Sequence, residues 1–255
     1  MTVSQLYDYL DQRIPASLSC DWDNDGLMCA SDGDREVRRV LIALDITAAI
    51  AERAINEDYD VILSHHPLIF TPLKALNERE PVAKKVLRLL SAGVSAMSFH
   101  TRLDAVVGGV NDTLAAALGL SDVVPFGENG EAIGRIGTLT AEMTLDDFAK
   151  LVKDVTGAPY VQAADAGRAV RRVALLGGGG ASDVEAARAA GADTYLTGEL
   201  KHNQLTDAPE RGMNLIAAGH FYTEDLICQR LAELVATADS NIEIEIACSN
   251  AVRMI

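Results

Sequence analysis

Apolar residues fall in short runs separated by polar and alanine-rich stretches, and the pattern repeats. Residues 40–64 read VLIALDITAAIAERAINEDYDVILS, and residues 173–197 read VALLGGGGASDVEAARAAGADTYLT. Superimposed, each gives a strand-length apolar run, a loop, a helical stretch and a second short strand. Asp60 falls on Asp193, Leu63 on Leu196 and Ser64 on Thr197. Thr47 and Ser182 stand where helix N-caps belong. Each copy therefore predicts a β–α–β unit. Strands that are apolar at nearly every position need helices on both faces, so the fold class is α/β with an internal duplication.

The repeat extends further. GVSAMSFHTRLD (93–104) resembles GMNLIAAGHFYTE (212–224), with one residue more in the second copy. Each runs from a glycine through an apolar stretch to His-x-x-x-carboxylate: His100 with Asp104, and His220 with Glu224. Around these units the chain predicts an amphipathic N-terminal helix with Leu6, Tyr9 and Leu10 on one face and Ser4 as its cap. It also predicts a strand over Ile136–Leu139, a helix capped by Thr144 and ended by Gly157, and a half-buried strand over Ile242–Ile246. The polar break PFGENGE (125–131) divides the chain into halves, 1–126 and 127–255, with the segment from about 217 expected to pack back on the first half.

Composition narrows the function class. The chain has 255 residues and a formal net charge of −15. Such a surface repels a phosphate backbone, so nucleic acid is an unlikely partner, and an acidic membrane is disfavoured too. The short pairs Arg38–Arg39 and Arg171–Arg172 read as solvated strand flanks. No apolar run approaches the roughly 18 residues of a spanning helix, and the N-terminus lacks a signal-peptide pattern. Four cysteines without a C-x-x-C pair read as reduced thiols, and a cytoplasmic location is the expectation.

The chemistry gathers at five histidines: His65, His66, His100, His202 and His220. All lie at or shortly after the end of an apolar run, and ligands of open α/β sheets bind at the carboxyl ends of strands. Pro67 biases His66 towards extended backbone, so the His65 and His66 side chains are expected to point oppositely and to reach two different ions. His220 and Glu224 share a face if the chain is helical there. Imidazole with carboxylate suits zinc, iron, manganese or nickel. GGGG (177–180) reads first as a tight strand-to-helix turn and second as a phosphate cradle. DWDNDG (21–26) reads as a turn, with Asn24 or Asp25 as candidates to face an active cleft.

The motifs SHHPLIF (64–70), HTRLD (100–104), GVND (109–112), TGE (197–199) and GHFYTE (219–224) resemble those of the NIF-three-like dinuclear-metal proteins, the GTP cyclohydrolase I type 2 homologues. DWDNDGL (21–27), ALDIT (43–47) and GRIGTL (134–139) fit as well, in the same order. The resemblance implies a metal site at the cleft between the two halves, with two divalent ions (Zn, Fe, Mn or Ni) held by His65, His66, Asp104, His220 and Glu224. His100, Glu199 and His202 are the candidates for proton transfer or substrate contact, and a ring-shaped homohexamer without the family's inserted domain is implied. Arg102 departs from the small amide residue often found there, so the substrate pocket is expected to differ in detail from the family's, and the metal site is not. Two divalent ions against two carboxylates leave a positive site that attracts a small anionic, nucleotide-like substrate. A metal-dependent hydrolase is the leading reading, and a metal-handling or regulatory scaffold the alternative.

Overall fold

The computed structural model describes residues 1–127 and 132–252. The chain runs α1 (Val3–Arg13), β1 (Gly26–Cys29), β2 (Arg39–Ala43), α2 (Ala48–Asn56), β3 (Val61–Ser64), α3 (Pro81–Ala92), β4 (Ser95–Ser98) and α4 (Thr101–Ala105). It continues through α5 (Val110–Ala117), β5 (Ser121–Phe126), β6 (Gly134–Met143), α6 (Leu145–Thr156), β7 (Gln162–Ala164), β8 (Val170–Leu176) and α7 (Val184–Ala189). It ends with β9 (Thr194–Thr197), α8 (His202–Glu210), β10 (Asn214–Ala217), α9 (His220–Glu224), α10 (Ile227–Ala238) and β11 (Glu243–Ile246). Two compact units result. Among the described residues, the first comprises 1–103 and 227–252, and the second 104–226. Of the polar break at 125–131, residues 128–131 lie outside the described residues.

In the first unit the strand order is β1-β4-β3-β2-β11, with β4, β3, β2 and β11 parallel and β1 antiparallel at the edge. Val40 to Ala43 and Val61 to Leu63 are fully buried, as expected of parallel strands covered on both faces. Alternate side chains Leu41, Ala43, Ile62 and Ala96 pack on Ile50 and Ala54 of α2 and on Val86 and Leu89 of α3. In the second unit the order is β5-β6-β8-β9-β10-β7, with β8, β9 and β10 parallel. Val173, Leu175 and Leu196 pack against Phe148 and Val152 of α6, while Ala174, Tyr195 and Leu215 pack against α7 and α8.

The duplication holds at the level of single bonds. Asp60 accepts from the backbone N–H groups of Arg38 and Arg39 at the start of β2. Asp193 accepts from those of Arg171 and Arg172 at the start of β8. Val40 pairs with Val61, and Val173 with Thr194, in the same register. The extra residue of the second copy is Gly219, which takes a left-handed φ of 86° just before α9. Thr47 caps α2 and Thr144 caps α6 as expected. Two other caps differ. Thr2, not Ser4, caps α1, because its hydroxyl accepts from Gln5 N–H while the Gln5 side chain accepts from Thr2 N–H. Ser182 caps nothing, because residues Gly180–Asp183 form a tighter 3₁₀ turn and α7 starts only at Val184. No helix among the described residues is long and apolar enough to cross a membrane.

Candidate metal centre

Strands β2, β3 and β4 are adjacent and parallel, so their carboxyl ends open on one edge of the first sheet. Asp45 follows β2, His65 and His66 follow β3, and His100 follows β4. The three imidazole rings lie together, with centroids 5.0 Å apart for His65 and His66, 5.3 Å for His65 and His100, and 5.8 Å for His66 and His100. One ligand atom from each lies within 4.8 Å of the other two. His65 and His66 therefore do not point to opposite sides. The backbone bends immediately after β3, with Ser64 Oγ donating to His66 O at 2.8 Å, and the alternation of an extended strand stops there.

Each ring is oriented through Nδ1. His65 Nδ1 donates to Phe99 O at 2.9 Å. His66 Nδ1 donates to Asp45 Oδ1 at 2.7 Å, and His100 Nδ1 to Asp23 Oδ1 at 2.8 Å. A carbonyl or a carboxylate only accepts, so the proton of each neutral ring sits on Nδ1 and the lone pair on Nε2. This is the orientation that metal-ligating histidines adopt. Burial by itself pushes the Asp23 carboxyl up, but hydrogen bonds from His100 and from Thr101 N and Oγ1 outweigh it and hold Asp23 well below the usual carboxylate range. Asp45 is braced by Ser249, whose Oγ accepts from Asp45 N at 3.0 Å.

Asp23 and Asp45 are the orienting residues that sequence reasoning missed. They stand in the flagged segments DWDNDGL and ALDIT, but nothing in either segment says which carboxylate meets which histidine. Of the residues considered there, Asn24 donates to Ile69 O, and the Asp25 side chain, 5% exposed, accepts from His100 N and from Arg102 Nε at 3.0 Å. Arg102 points inward among acceptors. It is 1% exposed and also bonds Asp11 and Ile14 O, so it ties α1 to the loop at 21–25.

In the second unit, β8, β9 and β10 likewise end side by side. The five-residue α9 puts His220 and Glu224 on one face, with Nε2 to Oε2 at 3.1 Å, and the His220 Nδ1 lies 3.3 Å from Glu199 Oε1. Ligand atoms of Asp104 and Glu224, both buried, lie within 4.8 Å of each other. Glycines make room for this set. Gly178 has a left-handed φ of 62°, and a Cβ there would overlap Glu224 Oε1 and crowd His220 Nε2. At Gly198, the repeat partner of His65, a Cβ would meet Gly178 O and the His220 backbone. The GGGG segment is a turn whose donors are used internally: Gly177 N to Asn111 Oδ1, Gly178 N to Thr223 Oγ1, and Gly180 N to Thr197 Oγ1. Glu199 is exposed beside His220, whereas His202 opens α8 as an exposed side chain.

The first set offers imidazole nitrogen and the second imidazole nitrogen with carboxylate oxygen, neither with thiolate, a chemistry that fits a first-row divalent cation. The comparisons agree with the motifs. Residues 1–253 match the family profile Duf34/NIF3 (NGG1p interacting factor 3). A Nostoc protein named GTP cyclohydrolase 1 type 2 homolog is 37% identical over 203 residues, 78% of this chain and 77% of its own. The Schizosaccharomyces pombe protein NIF3 homolog is 34% identical, covering 90% of this chain and 88% of its own. Among solved structures, the Staphylococcus aureus hypothetical protein SA1388 superimposes with a TM-score of 0.89 at 27% identity, over 100% of this chain and 99% of its own. The chain belongs to the DUF34/NIF3 family.

Proposed function

We propose that this protein binds two divalent metal ions through His65, His66, Asp104, His220 and Glu224, and that it hydrolyses a nucleotide-like anionic substrate in the manner the name GTP cyclohydrolase 1 type 2 homolog suggests for its relatives. The observation that carries the reading is the histidine trio after β3 and β4. Three rings lie together, and each is oriented through Nδ1 by an acceptor-only oxygen, the orientation that metal-ligating histidines adopt. Divalent ions supply Lewis acidity and can lower the pKa of water from about 15.7 to about 7. The protein's own part is to hold the Asp23 and Asp45 carboxylates against their histidines and Glu224 against the Gly177–Gly178 turn. His100 stands within the trio and serves as a pocket base, and Glu199, beside His220 Nδ1, orients that ring. His202 is the remaining candidate for moving protons. The reading includes a homohexamer, which sedimentation velocity checks.

Elemental analysis after gel filtration tests the metal part. Parent protein should retain Zn, Mn, Fe or Ni, and His65→Ala and Glu224→Ala should lose most of it; equal metal in all three overturns the ligand assignment. Incubation with GTP and each metal tests the chemistry. Opening of the purine imidazole ring is expected, and no turnover with any metal removes the hydrolase assignment.

A further inference from the structure

Trp22 and Phe70 are large aromatic side chains left 58% and 52% exposed. Their rings meet edge to face at 6.2 Å and 71°. Both also stand edge to face on His100, Trp22 at 6.3 Å and 78° and Phe70 at 5.9 Å and 89°. The result is an aromatic corner open to solvent and built against the histidine trio.

The corner is held in place although its rings are exposed. Asp23, next to Trp22, is fixed by His100 and Thr101. Asn24 ties the loop of Trp22 to Ile69 O, the residue before Phe70. Phe70 lies in residues 65–80, a connection from β3 to α3 without helix or strand. The second copy has no counterpart, because residues 198–201 alone join β9 to α8. Loops of such length without regular structure are ordinarily tied to function. A stable protein interface needs about 800 Å² from each partner, more than two rings offer. Two faces at nearly a right angle instead fit one planar ring, which stacks on one and meets the edge of the other.

We propose that Trp22 and Phe70 form the base-recognition corner of the site and take the purine ring of a nucleotide. The inference rests on the nucleotide-hydrolase reading and deepens it by assigning the residues that recognise the ring. It also explains why the long loop occurs only in the first copy.

Trp22 is the single tryptophan of the chain, so its fluorescence reports this corner alone. Full-length protein is titrated with GTP, guanosine and inorganic triphosphate. GTP and guanosine should quench the emission saturably, and triphosphate should leave it unchanged. Phe70→Ala should weaken guanosine binding by roughly tenfold, about the worth of one base–aromatic stack, and Phe70→Tyr should restore it. Unchanged emission with GTP, quenching by triphosphate alone, or unchanged guanosine affinity in Phe70→Ala overturns the proposal. A changed sedimentation coefficient in Phe70→Ala with nucleotide affinity intact also overturns it and assigns the pair to a subunit contact. Metal content is measured on the same samples. Guanosine quenching in a protein that holds no metal removes the hydrolase reading and keeps the corner, and a metal-loaded protein with unchanged emission does the reverse.

Discussion

Adding one methyl group at Gly178 separates the ligand geometry from the fold. Its φ of 62° is a left-handed conformation, which costs a residue with a Cβ about 1–2 kcal/mol. Reduced freedom of the unfolded chain returns about 0.4–1 kcal/mol. The backbone of Gly178→Ala should therefore lower stability by about 1 kcal/mol, and crowding of Glu224 by about 1–3 kcal/mol more, read as a shift in the urea midpoint. Its effect on the site is larger. The new Cβ would overlap Glu224 Oε1 and crowd His220 Nε2, and Glu224 is buried, so the carboxylate can yield only by leaving its place. Loss of orientation alone costs metal sites about 10–100-fold in affinity, and displacement of a ligand should cost at least about 100-fold. Competition against a chromogenic chelator measures this. Gly179→Ala is the control, since a Cβ there meets nothing within 4 Å. Parent-like metal affinity in Gly178→Ala refutes Glu224 as a ligand, and an equal loss in Gly179→Ala refutes the steric argument.

Further expectations rest on other contacts. Asp45→Asn removes the carboxylate that orients His66 and should weaken metal binding by about 10–100-fold in the same chelator assay, with the fold intact by circular dichroism. Arg102→Ala leaves the buried Asp25 carboxylate without its guanidinium and should cost about 3–5 kcal/mol by urea unfolding, of which Asp25→Asn in the same chain should restore part. Burial alone would raise the pKa of Asp60, but the N–H of Arg38, the Arg35 side chain and the N–H of Arg39 together lower it. Its contribution is thus present above the unfolded carboxylate value of about 3.9 and is lost as pH falls through the lower folded value, so Asp60→Asn should flatten the acid limb of stability below about pH 4. Of the four thiols only Cys248 is exposed, while burial pushes Cys29 up to about 11; a thiol-reactive dye should label one cysteine rapidly in native protein and the others only on unfolding.

The order of apolar runs and loops fixed much of the outcome before any tertiary contact was known. Burial on both faces of β2, β3 and the second half of β8 follows from apolar residues at every position over 40–43, 61–63 and 173–176. The caps at Thr47 and Thr144 and the stop at Gly157 follow from local chemistry within one turn of helix. The placement of histidines at strand ends was legible because a parallel strand can deliver a polar side chain only where it leaves the sheet. Other features depend on strand order, which periodicity does not encode. Asp23 meets His100 across 77 positions, and Asp45 meets His66 across 21. Arg102 turned inward because Asp11, Asp25 and Ile14 surround it, and no local pattern reports acceptors that distant. The glycines at 178 and 198 could be read as turn residues, but the need for them is the bulk of Glu224 and the His220 backbone lying against them. A hydrophobic pattern tells which face of an element is buried; the atom it is buried against is set by how the strands are ordered in the sheet.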